Sequence, residues 1–337
     1  MRRGSIASLL GIGVVAGGVA AAVALAIPWM PISASKEAGR IDFVFWFVVT
    51  ICIVIFAVVA AAILYSVVRF RAAPDDDSDG PPIHGHTGLE ITWTLIPTVL
   101  VTAIGIVSAI VLSRDDAIAK NALHVQVIAQ QYTWTFKYPD ANGLTSATLV
   151  LPNGREAVLD FQSRDVIHAF FVPEFRENMD IVPGLTTTIN VTPTRVGTYP
   201  VICNELCGLG HGTMRSTAQV MTPTAFDKWL KGQSKAVSSP NPGTAGAAVF
   251  KNNGCAACHT LSAASATGKV GPDLDKLPAE AQGAKQPLAS FIRTSITDPN
   301  AYVAPGYPKN VMPATFGKAI PKQQLDALVT YLINSSK

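Results

Sequence analysis

Apolar residues are distributed along this chain in three ways, and each predicts a different kind of element. The first is the long uninterrupted run. Ile6–Ile27 follows Arg2-Arg3 and is rich in Ala and Gly. Ile41–Val68 holds Phe43, Trp46, Phe47 and Phe56, is uncharged after Asp42 and closes at Arg69. Leu89–Leu112 starts beside Glu90 and closes at Arg114. Each is long enough to cross a bilayer as a helix of about 20 residues. The second is alternation. From Leu123 to about Met221, positions such as Leu123, Val125, Val127 and Ala129 interleave with His124, Gln126, Ile128 and Gln130, the period of a half-buried strand. Thr148–Leu151, Ala157–Phe161, Thr186–Thr192 and Thr217–Met221 continue it, separated by turn signals such as Asn142-Gly143, Pro152-Asn153-Gly154 and Pro183-Gly184. Regularly spaced short strands of this kind predict a Greek-key β-sandwich or barrel. The third is the helical stripe. Leu325, Leu328, Val329 and Leu332 within Lys322–Asn334 fall at the spacing of one buried helix face, and Gly246–Asn252 and Leu288–Thr297 are two further helix candidates.

The pattern divides the chain into residues 1–35, a signal peptide or an extra transmembrane helix; 36–115, a two-helix transmembrane hairpin; 116–230, the β domain; 231–245, a linker; and 246–337, a small helical domain. Ser33-Ala34-Ser35 is a small-residue stretch of the kind a signal peptidase cuts. Lys231–Gly246, rich in Gly, Ser, Pro and Asn, reaches some 45–50 Å at full stretch, at about 3 Å or more per residue. Arg69 and Arg71 lie between the two firm spans and place that loop in the cytoplasm. The Asp75-Asp76-Asp77 cluster there contributes little to the rule. Everything after Arg114 is then extracytoplasmic, in a bacterial plasma membrane setting with lipid around the spans. Composition agrees: 337 residues, 49% apolar and 15% charged, are too apolar for one soluble globule. A net charge of +3 argues against a nucleic-acid partner.

Of the five cysteines, Cys52 lies within an apolar run and reads as a small apolar residue. The other four form two close pairs, each beside a histidine. Cys203-Asn-Glu205-Leu-Cys207-Gly-Leu-Gly-His211-Gly-Thr-Met214 gathers thiols, an imidazole and a thioether in one loop. This soft set fits copper, whereas zinc takes Cys and His but makes no use of Met. A single blue copper needs one thiolate, two His and an axial Met, so the loop has ligands to spare for one copper; two bridged by Cys203 and Cys207 would use them all. A second histidine must come from elsewhere. His84 and His86 fall on the cytoplasmic side, His124 on the polar face of its strand and His259 at the other cysteine pair, which leaves His168 at the end of an apolar strand. Cys255-Ala-Ala-Cys258-His259 is the attachment motif for c-type haem. Met312, in Asn310-Val-Met312-Pro313, is the only Met of that domain and the candidate second axial ligand. His/Met ligation leaves no open iron site, which means electron transfer.

These motifs resemble subunit II of the CuA-containing haem–copper cytochrome c oxidases, with a fused cytochrome c domain as in the caa-type enzymes. The resemblance spans nearly the whole chain, and C-x-E-x-C-G-x-x-H-x-x-M is matched position by position from Cys203 to Met214. It implies a multidomain membrane protein: a helical hairpin, a cupredoxin-like Greek-key domain and an all-α class I cytochrome c domain. It further implies that Cys203 and Cys207 bridge a dinuclear CuA centre capped by His168 and His211, with Met214 and the backbone carbonyl of Glu205 completing it. The Glu205 side chain would help bind magnesium at the interface with subunit I. Glu90-Ile-Thr-Trp93-Thr94-Leu-Ile-Pro97 looks like the family element whose Glu stands at the entrance of a proton pathway, and Asp180 lies in a loop similar to one near the subunit interface.

The implied activity is that of a cytochrome-c oxidase: electrons taken up through haem c pass by CuA to subunit I, where oxygen is reduced to water with proton pumping. Subunits I and III, and cytochrome c or a quinol–cytochrome c reductase as donor, are the implied partners. One departure stands out. Where the family has an aromatic Q-W-Y-W segment that takes electrons from soluble cytochrome c, this chain reads Gln131-Tyr132-Thr133-Trp134. Tyr132 and Trp134 remain the candidate electron-uptake aromatics, but Tyr132 replaces the leading Trp, which suits delivery from the tethered haem. Two other readings are the copper subunit of a nitric oxide reductase and a free-standing membrane-tethered electron carrier.

Overall fold

A computed structural model describes residues 3–71, 82 and 84–336. The Asp75–Asp77 cluster and Arg2 lie outside these described residues. The chain divides into two compact units, Met1–Ile32 with Gly39–Asp115, and Ser33–Ala38 with Asp116–Lys337.

The first unit holds three helices, α1 (Arg3–Ala26), α2 (Lys36–Arg69) and α3 (Thr87–Asp115), all long and apolar enough to cross a membrane. At 1.5 Å rise per residue, α2 is about 50 Å long, so it outreaches a hydrocarbon core of about 30 Å. Few of its side chains are buried in the isolated chain, as expected of helices whose solvent is lipid or a partner. Small residues bring α1 and α2 together. A Cβ placed on Gly17 would sit 3.1 Å from Ala57 Cβ, and one on Gly13 would sit 3.6 Å from Ala61 Cβ. That small-xxx-small seam on both sides is how membrane helices approach closely.

The second unit opens with a short strap. Ser33-Ala34-Ser35, expected as a cleavable stretch, is folded onto the β domain. Ala34 and Ser35 are buried, Ser35 bridges Pro193, and Ala34 donates to the Glu174 carbonyl at 2.8 Å. Ten strands follow. One sheet is ordered β3-β2-β1-β5-β8 and comprises β1 (Leu123–Gln130), β2 (Thr133–Tyr138), β3 (Leu144–Ser146), β5 (Ala157–Ser163) and β8 (Thr187–Val191). The other is ordered β4-β10-β9-β6-β7 and comprises β4 (Leu149–Pro152), β6 (His168–Val172), β7 (Glu177–Ile181), β9 (Gly197–Cys203) and β10 (Arg215–Met221). β1 and β5, and likewise β4 and β10, run parallel, while the remaining pairs are antiparallel. These are crossed connections of the Greek-key kind expected of a cupredoxin-like sandwich.

Phe136, Phe161, Phe170, Leu149, Leu151 and Leu159 fill the space between the sheets, fully buried. Each such side chain contributes about 1.5–3 kcal/mol. Tyr138 ties the layers: from β2, its hydroxyl accepts from Val150 N at 2.7 Å and donates to Val150 O at 3.0 Å on β4. Alternation is clearest at the start of β1, where Val125 and Val127 point in and His124 points out.

The expected linker is largely helical. α4 (Pro223–Val237) is capped by Thr222 and seats Trp229 on Tyr138, with ring centroids 5.4 Å apart. α5 (Pro242–Asn252) begins at the Asn241 cap, so only residues 238–241 lie between the two helices. Composition suggested a long flexible tether because Pro and Gly are read as breakers. Here Pro223 and Pro242 sit at helix starts, where a missing N–H costs nothing.

The last domain comprises α5, the single turn α6 (Cys255–Cys258), α7 (Leu277–Gly283), α8 (Leu288–Thr297), α9 (Phe316–Ala319) and α10 (Lys322–Ser335). The predicted stripe Leu325, Leu328, Val329 and Leu332 is buried. α5 and α10 cross so closely that a Cβ on Gly246 would collide with the Ala327 carbonyl and Tyr331 Cβ.

Candidate copper and haem sites

The copper candidate is built at one end of the second sheet. His168 opens β6 and Cys203 closes β9, with Cys203 paired to Phe170, two residues along from His168. The loop from Asn204 to Thr213 then returns to Met214, whose carbonyl accepts from Cys203 N at 3.3 Å. The result is convergence of donors from two strand ends and the connection between β9 and β10. Cys203 Sγ lies 3.8 Å from Cys207 Sγ. His168 Nδ1 faces Cys203 Sγ at 3.8 Å and His211 Nδ1 faces Cys207 Sγ at 3.6 Å. Met214 Sδ is 3.8 Å from Cys207 Sγ, and the Glu205 carbonyl oxygen is 3.3 Å from Cys203 Sγ. His168, Cys203, Cys207 and Met214 are buried.

Each sulfur of the pair thus has one imidazole and one further soft or carbonyl donor beside it. That set exceeds the four ligands of a closed tetrahedral zinc site and divides evenly between two ions. The electrostatics agree. Burial pushes the Cys203 thiol up, but hydrogen bonds with His168 and the backbone outweigh it and bring it to about 6. Burial and the adjacent Cys203 push Cys207 to about 12. Without metal the pair carries a single negative charge, and a second thiolate requires cations between the sulfurs.

Sequence reasoning missed the groups that orient these ligands. Asp165 Oδ1 is 2.8 Å from His168 Nε2, which leaves Nδ1 for the copper side. Asp165 Oδ2 also accepts from Gln131 N at 2.7 Å. Burial raises the Asp165 carboxyl, yet the hydrogen bonds from His168, Gln131 and Val166 bring it below its usual value. Burial likewise lowers His168, but Asp165 and Cys203 carry it above its own. A carboxylate behind a ligating imidazole is the usual outer support of a metal site, and the Asp-x-x-His spacing was the available signal. Gln131 Nε2 donates to the Cys207 carbonyl at 2.6 Å.

Tyr132 lies against the copper loop. A Cβ on Gly208 would sit 2.5 Å from its hydroxyl, and one on Gly210 would sit 2.5 Å from Cδ2. Both glycines are needed for that approach. Trp134 is buried beneath the ligands, edge-on to His168 with centroids 6.4 Å apart. Glu205 is exposed beside Leu206 and Leu209, the latter 95% accessible.

The second cavity holds about 1330 Å³ of non-atom space and is lined by Cys255, Cys258, His259, Met312 and apolar residues that include Phe291 and Leu328. Cys255 and Cys258 flank a single turn entered through Gly254 at φ 72°. His259 Nδ1 is held by the Pro272 carbonyl at 2.9 Å, which frees Nε2 for a metal, and burial lowers its pKa so that the coordinating neutral form is favoured. A Cβ on Gly271 would press on His259 Cε1 at 2.5 Å, so that glycine also fixes the ring. Two thiols, an imidazole and a thioether lining one apolar cavity fit a covalently attached haem. Tyr132 and Thr133, from the β1–β2 hairpin, line the same cavity.

In the membrane unit, Glu90 is exposed in the first turn of α3, and its Oε1 accepts from His86 N at 3.2 Å. Asp180 is exposed on β7 opposite Ala169.

Membrane helices, a cupredoxin-like domain with a soft ligand loop and a small helical domain around a C-x-x-C-H turn define a membrane-anchored electron-transfer protein. Sequence comparison specifies it. A family model for the transmembrane domain of cytochrome c oxidase subunit II matches residues 22–111, one for its periplasmic domain matches residues 144–221, and a cytochrome c model matches residues 243–336. Cytochrome c oxidase subunit 2 of a Synechocystis strain is 34% identical over 63% of this chain and 76% of its own length. The subunits 2 of Alkalihalophilus pseudofirmus and Bacillus subtilis are 27% and 26% identical and cover 82% and 80% of both chains. The chain belongs to the cytochrome c oxidase subunit 2 family and carries a cytochrome c domain. It is a component of a haem–copper oxidase, multi-pass in the membrane with both domains extracytoplasmic.

Proposed function

We propose that this chain is the electron-accepting subunit of its oxidase, with Cys203 and Cys207 bridging two coppers and Cys255, Cys258, His259 and Met312 holding haem c. The observation that carries the reading is the paired geometry of the copper loop: each sulfur has its own imidazole Nδ1, at 3.8 and 3.6 Å. When bound, the two groups supply one-electron redox chemistry. The residues supply the setting. Cys203 and Cys207, as thiolates, would hold the copper together with His168, which Asp165 orients, His211, Met214 and the Glu205 carbonyl.

Tyr132 stands between the sites, touching the copper loop at Gly208 and Gly210 and lining the haem cavity. Its ring fills with protein the space that water would otherwise occupy. Trp134 lies beneath the ligands, so Tyr132 is the aromatic residue placed for transfer from the haem side. Electrons then pass to subunit I, where oxygen is reduced with proton pumping. Exposed Leu206 and Leu209 suit a protein-covered face there. In this reading the Glu205 carboxylate would serve a magnesium ion at that interface, and Glu90 would collect protons at the cytoplasmic membrane edge. Subunit III and an external cytochrome c or quinol–cytochrome c reductase complete the assembly.

The test is the spectrum of the full chain purified in detergent after haem maturation and copper loading. The expected result is the hyperfine pattern of one electron shared by two equivalent coppers, alongside a low-spin haem c with sulfur ligation. The pattern of a single copper, or a colourless zinc protein, overturns the reading.

A further inference from the structure

Met312 sits in a loop that its own domain anchors at Asn310 and at the α9 turn, where the Thr315 carbonyl accepts from Lys318 N and Ala319 N. At Asn310, in the left-handed region with φ 61°, Asn300 grips the chain twice: Asn300 Nδ2 donates to Asn310 Oδ1, and Asn310 N donates to Asn300 Oδ1, both at 2.9 Å. Among the described residues, no hydrogen bond holds residues 311–314. The next residue with a side-chain bond is Thr315, and that bond crosses the domain boundary. Thr315 Oγ1 donates to Gln130 Oε1 at 2.6 Å. Gln130 ends β1 and is 2% exposed, so its end of this bond is shielded from water while Thr315 is half-buried.

Two further contacts come from the same hairpin. Val311, the neighbour of Met312, packs against the core cluster of the β domain rather than that of its own. Thr133, paired with Gln130 across the hairpin, lines the haem cavity beside Val311 and Met312.

We propose that the copper domain holds the haem's axial methionine in place. Gln130 and Thr315 clamp the far end of the Met312 loop, Val311 seats its near end, and the β1–β2 hairpin forms one wall of the haem pocket. Gln130 and Thr315 are positioning residues that act through Met312. The inference rests on the haem reading above and adds a coupling to it. Docking of the two domains strengthens methionine ligation, and by linkage loss of the methionine ligand loosens docking by the same factor.

The experiment titrates imidazole, as a competing iron ligand, against the ferric full chain in detergent with copper bound. It follows the sulfur-to-iron charge-transfer band. Gln130→Leu leaves every residue of the cytochrome domain unchanged, so any effect on the band crosses the interface. The concentration that displaces half of the methionine should fall about five-fold, the worth of one net hydrogen bond. Thr315→Val should fall equally, Thr315→Ser should match the parent chain, and the Gln130→Leu/Thr315→Val double variant should fall no further than either alone. Unchanged displacement in Gln130→Leu with an intact copper spectrum overturns the clamp. If that variant loses copper, equal displacement in Thr315→Val and Thr315→Ser overturns it instead. A parent chain with no sulfur band at all would instead sink the haem reading on which the clamp depends.

Discussion

The copper site and the haem pocket are both constellations of sulfur and imidazole, yet they are built to different tolerances. In the copper loop the donor atoms already stand 3.3–3.8 Å from one another, carried on strand ends and braced by Asp165 and Gln131. In the haem pocket only His259 is fixed with comparable care, by Pro272 and Gly271, while Met312 rides on a loop tied at Asn310 and Thr315. The reason lies in what each site must impose. A bare ion has no shape of its own, so protein must set every ligand direction. A macrocycle is rigid and becomes bonded to Cys255 and Cys258, so the protein need supply only walls, a proximal base and a loop that reaches over.

That contrast is easiest to break at the bridging sulfurs. Cys207→Ser should reduce copper from two atoms per chain to one or none while leaving haem content unchanged, as read by metal analysis and a pyridine haemochrome assay. Two coppers retained would mean that Cys207 does not bridge. Removing one haem thiol should be far milder. Cys258→Ala should keep haem attached through Cys255 with its His/Met spectrum intact, because cavity and axial ligands remain. Complete loss of haem would show that the pocket is as exacting as the copper loop.

Next in size is the support of His168. Asp165→Asn keeps the shape but weakens the acceptor, and outer-shell changes of this kind cost about 10–100-fold in metal affinity. A copper-chelator competition should show it, and affinity equal to the parent's would make Asp165 a bystander. Acidity probes the same bridge. In the empty site Cys203 titrates low and Cys207 high, so at neutral pH the pair retains one proton. Copper loading must expel it, and binding therefore releases protons and tightens as pH rises through neutrality toward the Cys207 value. Calorimetry in buffers of different ionisation heat would detect that proton, and a pH-independent affinity would count against the paired thiols.

The smallest expected effect is on the empty chain's own stability. Asp165 is held below its unfolded pKa, so its contribution is present above about pH 4 and is lost as pH falls through the depressed value. Asp165→Asn should flatten that acid limb in a thermal unfolding series.

Much of this was readable along the chain because the signals are local. Membrane runs, the α10 stripe, the C-x-x-C-H turn and the spacing from Cys203 to Met214 each live within one segment, and periodicity or ligand chemistry exposes them directly. His168 was found by elimination among six histidines, which works only because the alternatives were few. Strands β2, β3, β7 and β9 left weaker marks, since buried polar and aromatic positions such as Gln130, Thr133 and Tyr138 blur the alternation. The apparent linker misled because helix-start prolines and breaker prolines look alike in composition.

What the sequence determined by itself was therefore the inventory: three apolar spans, a soft copper loop, a haem attachment turn and their order. What only the tertiary structure decided was which groups meet across distance. Asp165 behind His168, Tyr132 against Gly210, and Gln130 under Thr315 depend on crossed sheet connections and on two domains folding against each other. No local pattern encodes such meetings, because a hydrogen bond between residues 185 positions apart is set by the packing of everything between them.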